Sequence, residues 1–139
     1  MNRKQKFRII GINLFLFALL FLFITLNKKV LRPLVNSTSF VSVITGSFPN
    51  FIAAYMISLA FVNAILIRKP QRDRLIVYLS SALVFIILTV EELFPIWGAS
   101  TQYDPYDILA SGLGSLLSIL TFEIIVRNTK AKSVELQSE

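Results

Sequence analysis

The sequence predicts an all-α, polytopic membrane protein: a bundle of four transmembrane helices with both termini cytoplasmic. Three observations carry this prediction. Hydrophobic residues make up 55% of the 139 residues and charged residues only 16%, whereas a soluble domain carries about 25% charge. The charged residues are gathered into short bands, and the apolar runs between them are ~18–20 residues long, enough to cross a hydrocarbon core of ~30 Å. Lys and Arg are shared unequally between the bands. The N-terminal segment holds four, 68–74 four and the tail three, against three between the first two spans and none in 95–106. Cytoplasmic loops attract basic residues, so the richer set faces inward.

The first span is expected at 7–26. It follows Arg3, Lys4, Lys6 and Arg8 like a signal peptide, but its apolar run is longer than a signal core and no small-residue cleavage site follows. The second is expected at 49–67. Ser47 can cap it, and Pro49 suits a first turn, where its missing N–H would be unpaired anyway. The stretch 40–46 reads as too short and mixed to span, and as interfacial or re-entrant. The third span is expected at 75–94, between Arg74 and Pro95, and the fourth at 107–126, ending at Arg127. Residues 1–127 thus form one transmembrane domain. Residues 128–139 form a polar cytoplasmic tail, which is expected to be disordered because it has nothing to bury. Trp97, Tyr103 and Tyr106 lie where amphipathic rings favour the headgroup level.

The chain has no Cys and no His. Disulfides, Cys or His metal sites, cysteine nucleophiles and imidazole catalysis are excluded. No phosphate-binding glycine loop and no Ser-x-x-Lys motif is present, and no cofactor or metal is expected. The net charge of +6 reads as membrane topology, since the basic residues flank the spans, and not as nucleic-acid binding.

The eight acids divide into two groups. Asp73, Glu135 and Glu139 lie in the basic loop and tail, and Glu123 precedes Arg127 by four residues, an ordinary helical ion pair. The others are Glu91, Glu92, Asp104 and Asp107. The glutamates close the third span, Asp107 caps or opens the fourth, and Asp104 lies just before it. All four therefore reach the outer surface, where Asn50, in the first turn of the second span, and Gln102 offer neutral hydrogen bonds. Turn formation and capping explain Asp104 and Asp107 without a ligand. The glutamates oppose the helix dipole at a C-terminus, which favours a partner, and ionisable residues near spans are functional candidates. Asp107, Ala110, Ser111, Gly114, Ser118 and Thr121 recur on one face of the fourth span. Ala110, Ser111, Gly114 and Ser118 are expected to pack helices closely. Asn13 and Asn63 read as glue between helices.

Two stretches then resemble a known signature. Glu91, Glu92, Leu93, Phe94 and Pro95, followed by Thr101, Gln102, Tyr103, Asp104, Pro105, Tyr106, Asp107 and the run to Gly114, resemble the VanZ-like family of small bacterial integral membrane proteins. That family is named for a member associated with teicoplanin resistance. Glu91 or Glu92 matches the family's glutamate, Asp107 its helix-opening acid, Ser111 the position where Asn is common, and Gly114 its glycine. The match covers about 25 of the 139 residues and marks a divergent member. The resemblance implies a protein of the bacterial cytoplasmic membrane acting in the cell envelope. Glu91, Glu92, Asp104, Asp107, Asn50 and Gln102 would bind a lipid, an envelope precursor or a glycopeptide. Resistance would follow from altered envelope access, not drug chemistry. The alternative is a small transporter or cation-channel subunit, which with four short helices would need a homo-oligomer. An enzyme is disfavoured by the lack of a nucleophile, and only carboxylate-bound metal chemistry would leave that route open.

Overall fold

The computed structural model describes residues 3–35, 40–68, 73–94 and 104–135. They form four helices: α1 (Arg3–Leu34), α2 (Phe40–Arg68), α3 (Asp73–Leu93) and α4 (Pro105–Glu135). All four are long and apolar enough to cross a membrane. The chain is a four-helix, multi-pass integral membrane protein. At 1.5 Å per residue, α2 and α4 are about 44 and 46 Å long, so both tilt or outrun a ~30 Å core.

The three largest extensions beyond the expected spans are these. The first does not stop at residue 26. It widens into a π-helical turn over Asn27–Leu31 and resumes as an α-turn over Arg32–Leu34. Pro33 explains the widening: it has no N–H, and its ring would clash with the carbonyl four residues earlier. The second helix does not start at Pro49. Residues 40–48 are not a separate re-entrant segment but continuous with it, and Pro49 lies inside it. Ser47 is therefore not a cap but a mid-helix residue, 6% exposed. The fourth helix continues through Glu135, so residues 128–135 are helical and not disordered, and 136–139 lie outside the described residues.

Packing centres on α2. Its apolar window is 39% buried against 11% for α1, and that gap sets the architecture: α1 lies on α2 alone, while α2, α3 and α4 contact one another. One core cluster joins Leu16 of α1 to Ile52, Met56 and Ala60 of α2. A second joins Val62 and Ile65 of α2 to Val77 of α3 and Phe122 of α4. The amides Asn13 and Asn63 tie α1 to α2 through a 2.9 Å hydrogen bond, worth roughly 0.6 kcal/mol or more in a membrane. Ser111, Gly114 and Ser118 are buried and Ala110 is half-buried. A Cβ on Gly114 would collide with the carbonyl oxygen of Phe51 and lie 3.0 Å from both the Ala54 Cβ and the Tyr55 nitrogen. Only glycine lets α2 and α4 cross this closely. Ser118 meets Ser81 of α3 at 3.1 Å.

Candidate functional site at the Asp107 end

One end of the bundle holds the C-terminal turns of α1 and α3 and the N-terminal turns of α2 and α4. Two prolines prepare it. Pro49 carries no N–H, so the carbonyl of Thr45, four residues back, loses its usual partner. Asn27 Nδ2, on the π-turn of α1, donates to that oxygen at 2.8 Å. Neighbouring helices commonly satisfy carbonyls freed by proline in this way. One turn along α1, Arg32 Nη2 donates to the next carbonyl, Gly46, at 2.9 Å. The distortion at Pro33 thus aims Asn27 and Arg32 at the stretch of α2 opened by Pro49.

The start of α4 differs from the expectation. Asp107 neither caps nor opens the helix. Asp104 does the capping: its Oδ1 accepts from the Tyr106 N–H at 2.9 Å, and its carbonyl accepts from the Asp107 N–H at 3.1 Å. Pro105 occupies the first helical position, which suits its fixed φ. A side-chain cap contributes about 0.5–2 kcal/mol, and Asp104 provides it. The Asp107 carboxyl is consequently not consumed in holding the helix. It lies against Ser47 and Asn50 of α2 and is acted on by both the positive charge of Arg32 and the negative charge of Asp104. Ser47 and Asp107 are neighbours without a completed hydrogen bond. Asp107 Oδ1 and Ser47 Oγ are both sealed from solvent with no partner, as is Oδ1 of the fully buried Asn27. Leaving a buried polar atom unpaired costs about 1–3 kcal/mol, so three at one end of a small bundle need an explanation.

Glu92 and Glu91 are distinguished by position. Glu92 Oε1 accepts from the Asp104 N–H at 3.2 Å, fastening α3 to the start of α4. Glu91 makes no hydrogen bond or ion pair among the described residues. Of the candidate ligand residues, Asn50 and Asp107 come together, Glu92 and Asp104 form the adjoining rim, and Gln102 lies outside the described residues, as do Thr101, Trp97 and Tyr103. No three acids converge closely enough for a metal ion among the described residues. Sequence reasoning missed Asn27, Arg32 and Ser47. The available signal was the pair of prolines, each flanked by polar residues within one helical turn.

At the other end of α4, Glu123 does not pair with Arg127. It bonds α3 instead, accepting from Arg74 at 3.2 Å and from the Tyr78 hydroxyl at 2.8 Å.

Together these features define an integral membrane protein with a polar, charge-bearing cluster of side chains at one end of a four-helix bundle. No family model, no curated protein and no solved structure matches the chain.

Proposed function

We propose that this protein is a divergent VanZ-like protein of the bacterial cell envelope. Its Asp107 end faces outward and binds a polar headgroup carrying both charges, on a lipid, an envelope precursor or a glycopeptide. The observation that carries the reading is the Asp107 carboxyl. It has an oxygen buried without a partner, it is relieved of capping by Asp104, and it lies within the field of the Arg32 charge. At that end of the bundle Asp107 takes an ammonium or other cationic group, assisted by Glu92. Arg32 takes an anionic group such as a phosphate or carboxylate, for which a guanidinium is well shaped. Asn50, Ser47 and Asn27 complete neutral hydrogen bonds. The excess of Lys and Arg on the opposite set of loops supports the outward orientation.

The test is Asp107→Asn, expressed in a host with a measurable envelope or glycopeptide phenotype. The expected outcome is loss of the phenotype with membrane levels and thermal stability unchanged or raised, because a buried carboxylate retained for binding does not stabilise the bundle. A fully active variant overturns the assignment. The chain has no native Cys, so Thr101→Cys reports orientation: an impermeant maleimide should label it in intact cells and leave Ser133→Cys unlabelled.

A further inference from the structure

The end of the bundle opposite Asp107 holds a second polar cleft, independent of the function proposed above. It lies between the N-terminal turns of α1 and the last turns of α2, with a volume of about 460 Å³, within the ~300–1,000 Å³ typical of small-ligand sites. Lys4, Gln5 and Arg8 of α1 and Asn63, Leu66 and Ile67 of α2 line it.

We propose that this cleft binds an anionic phosphate group, carried by the headgroup of a membrane lipid. Four observations support it. Lys4 and Arg8 are four residues apart on one helix and so lie one above the other, an arrangement of like charges that is unfavourable unless an anion sits between them. Among the described residues no acidic side chain lines the cleft, so none of them supplies that anion there. Arg3 is directed elsewhere, lying 5.9 Å from the centroid of the Phe7 ring, so the charge offered to the cleft comes from Lys4 and Arg8. The far wall then changes character with depth. Gln5 Nε2 donates to the Ile67 carbonyl at 3.5 Å and closes α1 onto α2 near the mouth. Asn63, held by Asn13, provides a polar floor, and Leu66 and Ile67 provide an apolar side. A phosphate bound by Lys4 and Arg8 would place its glycerol or other hydroxyls near Asn63 and its acyl chains along Leu66, Ile67 and the outer surface of α1. Basic pockets between helix ends bind anionic headgroups by this combination of charge and apolar wall.

The experiment is native mass spectrometry of the full chain in detergent, titrated separately with phosphatidylglycerol, phosphatidylcholine and inorganic phosphate. Phosphatidylglycerol is expected to remain bound and phosphatidylcholine to bind about tenfold more weakly. Lys4→Gln with Arg8→Gln should abolish that preference, while Lys28→Gln with Lys29→Gln, which removes two charges at the other end, should keep it. Removing two phosphate-facing charges is expected to weaken binding about tenfold or more. Helical content by circular dichroism checks the fold. Should the double variant not fold, the single variants carry the test, each with a loss of about threefold. Unchanged phosphatidylglycerol binding in the neutralised variants overturns the proposal. Displacement of the lipid by an equal concentration of inorganic phosphate overturns the headgroup assignment and makes this a site for soluble phosphate.

Discussion

Helix α4 carries Asp107 and Glu123 about 24 Å apart along its axis, and the bundle treats these carboxyls in opposite ways. Glu123 is 20% exposed and fully engaged, with Arg74 and Tyr78 of α3 on its two oxygens. Asp107 has one oxygen sealed from solvent and unpaired, although Ser47 and Asn50 stand against it. At the Glu123 end the backbone needs nothing from side chains, because α3 and α4 are regular there. At the Asp107 end two prolines interrupt the backbone hydrogen bonding, and one donor each of Asn27 and Arg32 goes to a carbonyl of α2. The contrast separates two uses of a charge near a membrane surface. One locks two helices together. The other keeps one oxygen buried and unpaired in a frame that other residues stabilise.

The largest expected effect comes from the residue between the two carboxyls. Gly114→Val forces the α2–α4 crossing apart, because a Cβ there meets the Phe51 carbonyl. Overpacking of this kind costs about 1–3 kcal/mol. It should lower the melting temperature in detergent and draw Asp107 away from Ser47 while leaving Glu123 on α3. A valine variant as stable as the parent would show that the crossing is not as close as described. Next is Asn27→Ala, which strands the Thr45 carbonyl at an expected cost of about 1–3 kcal/mol. In a Pro49→Ala background that carbonyl regains a backbone donor, so the same substitution should cost much less. A double-mutant cycle with no coupling would sever the link drawn between Pro49 and Asn27. The smallest effect belongs to Arg74→Gln. Its side chain is 58% exposed, and exposed ion pairs contribute about 0.2–1 kcal/mol. Loss of the pair should be barely visible in the melting curve and weaker still in high salt.

The four helices were legible because length and hydropathy alone decide whether a segment can cross a bilayer. Their ends were less so. Residues 40–48 contain Ser, Thr and Gly and read as a break, yet they continue α2 because Asn27 and Arg32 cover its opened carbonyls from another helix. Asp107 was legible as a candidate, but its neighbours were not, since Asn27 and Ser47 are far apart in sequence and unremarkable singly. Glu123 was placed with Arg127 by helical spacing, and Arg74 won because α3 brings a guanidinium and a phenol to it together.

The sequence by itself determined the class of this protein, the number of its spans and the banding of its charges, because transfer of side chains into hydrocarbon is a local, nearly additive property. It also determined that a glycine and serine face runs along α4. Tertiary structure alone decided which carboxyl is satisfied and which is left open. A hydrogen bond requires two groups to meet at 2.7–3.2 Å. Only the packing of α1 on α2, with a π-helical turn before Pro33 and Pro49 inside α2, brings Asn27, Arg32 and Ser47 to the end of the bundle where one Asp107 oxygen is buried without a partner.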